Sequence, residues 1–249
     1  MNKKELTNYL DQYLEITTIS DYGPQGLQVE ALAQEIQRIA LAVDTAPANI
    51  KAASSWNADL LLVHHGILWR NVEPIAGPLG ERVRLLISND IHLYAAHLAL
   101  DAHPVVGNNA VLANMLGVEE REMWCDVMGT KIGVIGQVNI SLDNLLALIN
   151  SGLETTSFVL NHGPSQVRRV AIVSGFGADK VAEAKALGAD TLLTGETSHA
   201  NYWSAADHQI NVIFAGHYAT ETVGVRAIGE HLGARFGLET RFFDFPTTM

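Results

Sequence analysis

Apolar positions along the chain follow two rhythms. Short unbroken aliphatic runs bounded by turn residues read as buried strands, and stretches with apolar residues three and four apart read as helices. Leu6, Tyr9, Leu10 and Tyr13 share one face of a helix expected over 5–14. Turn chemistry at Asp21-Tyr-Gly-Pro-Gln-Gly leads into a short strand at 27–29. A first series then runs strand 39–43, helix 48–55, strand 60–63, a Pro- and Gly-rich loop 69–79, helix 81–88, strand 91–96 and helix 108–116, ended by Gly117. A second series runs strand 131–138, a helix to about 149, strand 170–173, helix 180–187, strand 191–193, helix 200–207, strand 212–215, helix 222–232 and a closing strand 240–243. The Ser141 hydroxyl caps the first helix of this second series by accepting an orphan backbone N–H. Strands alternating with helices predict an α/β fold with mostly parallel pairing.

The two series look like copies. Arg38-Ile-Ala-Leu-Ala aligns without a gap onto Arg169-Val-Ala-Ile-Val, and the same register puts Ala58-Asp59 on Ala189-Asp190 and His64-His65 on Gly195-Glu196. Any two βαβ units share small and aliphatic residues, so strand rhythm alone decides little. Matching strands followed by matching His-x-x-x-acid motifs are harder to obtain by chance. The expected organisation is two similar α/β lobes from an internal duplication, 1–126 and 127–249, with a site in the cleft between them. The boundary is placed within 117–128, and the closing segment is free to pack back on the first lobe.

The repeated motifs carry the chemistry. Tyr94-Ala-Ala-His97-Leu-Ala-Leu-Asp101 and Phe214-Ala-Gly-His217-Tyr-Ala-Thr-Glu221 both follow an apolar strand, and Leu60-Leu-Leu-Val-His64-His65-Gly66 ends another. Residues four apart share a helical face, so each histidine and its carboxylate can clasp one point. His64 and His65 would alternate faces in a regular strand, but Gly66 permits the backbone to turn, letting the pair reach two metal ions. His64, His65, Asp101, His217 and Glu221 offer three imidazoles and two carboxylates. That set is too hard for copper(I) and too nitrogen-rich for calcium; it suits two divalent cations such as zinc, manganese, iron(II) or cobalt. A single histidine at a strand end is more often packed than ligating; three converging strand ends argue otherwise. His92, His103, His162, His199, His208 and His231 lack that context and read as surface or packing residues.

Composition narrows the classes. The chain has 249 residues, 48% hydrophobic and 17% charged, as expected of a soluble globular protein. A net charge of −11 argues against nucleic acid or anionic membrane as a partner, although bound cations would still admit an anionic substrate. The single cysteine, Cys125, excludes an intrachain disulfide and a cysteine zinc site and reads as a packing residue. With neither a signal-peptide core at Met1-Asn-Lys-Lys-Glu nor an apolar run of membrane-spanning length, the expected location is cytoplasmic. Ser174-Gly175-Phe176-Gly177 could cradle a phosphate with backbone amides, but a tight strand-to-helix turn is the simpler reading. Trp69 and Arg70 could cover and charge the cleft, or pack against a neighbouring subunit.

The chain resembles the GTP cyclohydrolase 1 type 2 homologue family, also called Nif-three-like, over essentially its whole length. The resemblance rests on Gly26-Leu-Gln-Val29, Val63-His64-His65-Gly66, Tyr94 through Pro104, Gly107-Asn108-Asn109, Leu193-Thr-Gly195-Glu196 and Ala215 through Glu221. It implies a dinuclear metal site with ligands His64, His65, Asp101, His217 and Glu221, with His97 beside the metals. It also implies a toroidal homohexamer with its metal sites facing the inner cavity. Gly66 and Ala99 stand where many members have proline, which bears on loop shape rather than on a ligand. The expected function is a metal-dependent hydrolase of a nucleotide or related phosphorylated small molecule, with His97 or Glu196 moving protons. The alternative is a metal-binding or metal-handling protein without turnover, forming a ring-shaped oligomer.

Overall fold

The computed structural model describes residues 1–71 and 73–247, so Val72 in the 69–79 loop lies outside the described residues. The chain divides into two compact units. The first comprises Met1–Val106 and Gly224–Phe245, and the second is built on Gly107–Val223. In chain order the first unit holds α1 (Lys3–Tyr13), β1 (Gly26–Val29), β2 (Arg38–Asp44), α2 (Pro47–Ser55), β3 (Leu60–His65), α3 (Gly77–Ser88), β4 (His92–Ala95) and α4 (Leu98–Ala102). The second holds α5 (Asn108–Met115), β5 (Glu119–Val127), β6 (Thr130–Ser141), α6 (Leu142–Leu153), β7 (Phe158–Leu160), β8 (Gln166–Ile172), α7 (Val181–Ala186), β9 (Thr191–Thr194), α8 (Ser204–Asp207) and β10 (Asn211–Phe214). Helix α9 (His217–Phe236) begins in the second unit and continues, from Gly224, as part of the first, which ends with β11 (Glu239–Phe242). Among the described residues no helix is long and apolar enough to cross a membrane.

The first unit's sheet has the order β1-β4-β3-β2-β11. Its β4–β3, β3–β2 and β2–β11 pairings are parallel, and only the β1 edge is antiparallel. Leu60, Leu61, Leu62 and Val63 are all buried, because helices cover both faces of a parallel sheet and remove the usual alternation. The second unit's sheet has the order β5-β6-β8-β9-β10-β7, and here the expectation of mostly parallel pairing fails. Only β8–β9 and β9–β10 are parallel; β5–β6, β6–β8 and β10–β7 are antiparallel. The cause is local. Met128 (φ 55°) and Gly129 (φ 88°) form a left-handed two-residue turn whose twist favours an antiparallel hairpin between β5 and β6.

The unit boundary also differs from the expected 126/127. Leu112, Ala113, Leu116 and Val118 pack with Leu145, Ile149, Val170, Leu193 and Ile213 in the second core, so α5 and β5 belong to the second unit. Trp124 anchors this arrangement: it is 2% exposed and its indole N–H donates to the Ile172 carbonyl at 3.2 Å.

Each unit uses the same local devices. Asp59 Oδ2 accepts the amides of Gln37 (2.7 Å) and Arg38 (2.9 Å), and Asp190 Oδ2 accepts those of Arg168 (2.7 Å) and Arg169 (3.2 Å). A three-stranded parallel run (β2, β3, β4 or β8, β9, β10) carries an antiparallel edge strand beside its last member in both cases. Ser141 caps α6 as expected, its hydroxyl accepting the Asn144 amide at 3.3 Å.

Candidate metal centre

The chemistry-bearing side chains sit at the carboxyl ends of the parallel strands, where open α/β sheets place ligands. In the first unit, His64 and His65 close β3 and His97 follows β4. Strand alternation should separate His64 from His65, yet their rings lie 4.8 Å apart, because the strand ends at His65. The His97 ring lies 5.0 Å from that of His64 and 5.6 Å from that of His65. One nitrogen from each of the three rings can be chosen so that all lie within 4.8 Å of one another. Asp101, one turn into α4, brings Oδ2 to 3.7 Å from His64 Nε2. His97 therefore lies beside the expected ligands His64 and His65.

Every one of these rings is anchored through Nδ1. His64 Nδ1 donates to the Ala96 carbonyl (3.1 Å), His65 Nδ1 to Asp44 Oδ1 (2.9 Å) and His97 Nδ1 to Asp21 Oδ1 (2.8 Å). A ring that donates from Nδ1 carries its lone pair on Nε2 when neutral, so the anchoring partners assign the tautomer. Asp21 also accepts the Leu98 amide on Oδ2 at 2.9 Å, and Gln25 Oε1 accepts the amides of His97 (3.1 Å) and Ala99 (3.0 Å). The 21–25 segment, read from sequence only as a turn, is thus the brace of the His97 corner. Asp44, the last residue of β2, was missed in the sequence; an acidic residue closing an apolar strand is the signal that could have found it. Trp69 meets His97 edge-on at 5.4 Å, and the Arg70 guanidinium lies 5.7 Å from the Tyr22 ring centroid.

In the second unit, Glu196 follows β9 and His217 opens α9. His217 Nδ1 lies 2.9 Å from Glu196 Oε1, and its Nε2 lies 3.0 Å from Glu221 Oε1, one helical turn on. Burial works against charge on this ring, but the two carboxylates outweigh it and raise the pKa to about 9. A cation at Nε2 would take the place of that proton. Glu196 stands to His217 as Asp44 and Asp21 stand to His65 and His97.

Taken together, four imidazoles have Nδ1 engaged by a carbonyl or carboxylate, and two buried carboxylates, Asp101 and Glu221, face Nε2 atoms. This is the donor set and the orienting shell that divalent metals of the zinc-to-manganese range require. Of the remaining histidines, His162 and His199 are exposed, while His92 and His231 are packing groups. His92 is fully buried, accepting the Ala31 amide on Nδ1 (2.9 Å) and pairing Nε2 with the Ala33 carbonyl (2.8 Å), while His231 stacks on Tyr13 at 4.3 Å. The Ser174–Gly177 turn does not stand apart as a phosphate cradle: Gly175 lies against Glu221 and His217. Cys125 is buried.

The Duf34/NIF3 (NGG1p interacting factor 3) family model matches residues 1–248. A relative from Deinococcus radiodurans named GTP cyclohydrolase 1 type 2 homolog is 42% identical, the alignment covering 99% of this chain and 94% of the relative. A relative of the same name from Pyrococcus abyssi is also 42% identical, with 99% of both chains covered. Among solved structures, a protein from Thermus thermophilus superposes with a TM-score of 0.91 at 38% identity over 100% of both chains. Reduced HcgD from Methanocaldococcus jannaschii gives 0.88 at 25% identity over 98% of both. The chain belongs to the Duf34/NIF3 family.

Proposed function

We propose that the protein is a divalent-metal-dependent hydrolase acting on a nucleotide or another phosphorylated small molecule. Two cations per chain would be held by His64, His65 and Asp101 of the first unit and by His217 and Glu221 of the second. The observation that carries this reading is the uniform anchoring of His64, His65, His97 and His217 through Nδ1, which puts the lone pair of each neutral ring on Nε2. A purely structural histidine cluster has no need of that uniformity. The printed name shared by the relatives, GTP cyclohydrolase 1 type 2 homolog, favours a nucleotide.

When bound, divalent cations supply Lewis acidity and a water acidic enough to attack near neutral pH. The chain's own residues do the rest. His97, with Nδ1 held by Asp21, can pass a proton at Nε2. Glu196, against His217 Nδ1, fixes that ring's tautomer and plane and is the second residue placed to move a proton. Trp69 borders His97 and Arg70 lies over Tyr22, and both would meet substrate there. The reading includes a cytoplasmic location, as the sequence suggests, and a homohexameric ring, as the resemblance implies. It also takes the two units as copies of a duplicated ancestor, which the paired Asp59 and Asp190 devices support.

Amide substitution of the anchors tests the orienting shell. Asp44→Asn, Asp21→Asn and Glu196→Gln are each expected to weaken cation binding or turnover by about 10- to 100-fold, with little change in melting temperature. An amide can donate where its carboxylate accepted, which turns the ring to the wrong tautomer. Competition against a chromophoric chelator reads the affinity.

Elemental analysis of untagged protein, with turnover assays on GTP and a nucleotide panel, tests the function. About two cations per chain, with a hydrolysis that chelation abolishes and metal restores, is the expected result. Two cations with no turnover on any substrate would shift the reading to metal handling. No bound cation after reconstitution would overturn it.

A further inference from the structure

The second unit's metal donors are built against bare backbone. Gly175 has φ +62°, a left-handed conformation, and a Cβ added there would lie 2.4 Å from Glu221 Oε1 and 3.1 Å from His217 Nε2. Those are the two donor atoms that face each other at 3.0 Å. No carboxylate oxygen can sit 2.4 Å from a methyl carbon, so any side chain at 175 must displace a donor or move the turn.

The turn is not free to move. The Ser174 amide donates to Asn109 Oδ1 at 2.7 Å, and the Gly175 amide donates to Thr220 Oγ1 at 3.0 Å, next to Glu221 on α9. The Gly175 carbonyl accepts the Gly195 amide (2.8 Å), the Glu196 amide (3.1 Å) and the Thr194 hydroxyl (3.2 Å). One residue, through its N–H and its C=O, thus joins the α9 residue preceding Glu221 to the segment that carries Glu196. Both Asn109 and Thr220 are fully buried, so the turn is clamped inside the core.

We infer that Gly175 is a positioning residue for the His217–Glu221 half of the metal centre: its missing side chain is the space in which those donors and their cation fit. This rests on the two-cation reading above. It also gives the Ser174–Gly177 motif a role as backing for the ligands instead of an anion cradle.

The test is cation stoichiometry of Gly175→Ala, measured by elemental analysis and native mass spectrometry after saturation and desalting. Gly188→Ala is the control, since Gly188 is also left-handed (φ +85°) but its Cβ would meet nothing nearer than Arg169 Cδ at 3.8 Å. Gly175→Ala is expected to fall from about two retained cations to about one, as Glu221→Gln should, while Gly188→Ala keeps both. Two retained cations in Gly175→Ala, with two in the parent, would overturn the inference and leave the metal reading intact. No retained cation in the parent would overturn both. A double-mutant cycle in chelator covers the case in which Gly175→Ala folds poorly. Its melting-temperature penalty should shrink in a Glu221→Ala background, where the colliding oxygen is gone; an equal penalty in both backgrounds would overturn the inference.

Discussion

A His64→Ala/Asp101→Ala double variant is expected to lose its first-unit cation and to fall in turnover by about 10³-fold, the equivalent of several kcal/mol of lost charge stabilisation. His64 is fully buried and Asp101 is 6% exposed, so neither reaches solvent well enough for water to replace the partner it loses. His64 donates from Nδ1 to the Ala96 carbonyl, which leaves the Nε2 lone pair and a carboxylate oxygen facing each other at 3.7 Å. Two acceptors in that position repel unless a cation or a proton lies between them. Removing both at once avoids stranding a buried carboxylate, but it orphans the Ala96 carbonyl, so the metal-free variant should melt a few degrees below metal-free parent. Its stability gain on adding metal should shrink, since a cation that binds only the folded state stabilises it by mass action. Elemental analysis, turnover and melting with and without chelator read all three quantities. A variant that keeps two cations and its activity would remove His64 and Asp101 from the centre.

The residues that carry this prediction were legible in the sequence because they lie at the ends of unbroken apolar runs. Leu60–Leu62 and Val212–Phe214 cannot be surface, and a histidine directly after such a run has a restricted set of places to go. What surrounds them was less legible. Asp21 and Asp44 reach their histidines across sequence separations of 76 and 21 residues, which no local pattern records. Strand β5 was missed for a different reason. Glu119-Glu-Arg-Glu-Met123 lies exposed along an edge, so its outward charges resemble a linker, and the buried part is only Trp124 and Cys125. Its left-handed Glu120 (φ 46°) and Cys125 (φ 60°) break the regular two-residue rhythm further. Helix α9 begins at His217, five residues before the expected 222, because the His-x-x-x-Glu motif itself forms its first turn. The expected helix over 200–207 splits into a 3₁₀ turn at His199–Asn201 and the short α8. Patterns of burial were readable; hydrogen bonds between distant segments were not.

Asn109 is the clearest case of such a bond network, and Asn109→Ala is expected to destabilise the second unit by about 3 kcal/mol. Its side chain is fully buried, accepting the Ser174 amide at 2.7 Å on Oδ1 and donating from Nδ2 to the Ile132 carbonyl at 2.8 Å. Alanine strands a buried donor and a buried acceptor, each at about 1–3 kcal/mol, because water cannot take the vacated place without a cavity to hold it. For a chain of this size that lowers the melting temperature by roughly 10 °C. Asn109→Asp separates the two bonds. It keeps an acceptor for Ser174 but presents a second oxygen to the Ile132 carbonyl and buries a charge, so it should be at least as damaging as alanine at neutral pH. Protonating that carboxyl restores a donor, so Asn109→Asp should regain stability relative to Asn109→Ala as the pH falls toward about 5. The consequence extends to the proposed metal ligands, since Ser174 immediately precedes Gly175, whose backbone lies against Glu221 and His217. Loss of the Asn109 clamp should therefore lower metal retention along with stability, whereas an equally destabilising core truncation such as Leu145→Ala should lower stability alone. An unchanged melting temperature in Asn109→Ala would show that the second unit satisfies Ser174 and Ile132 by another route.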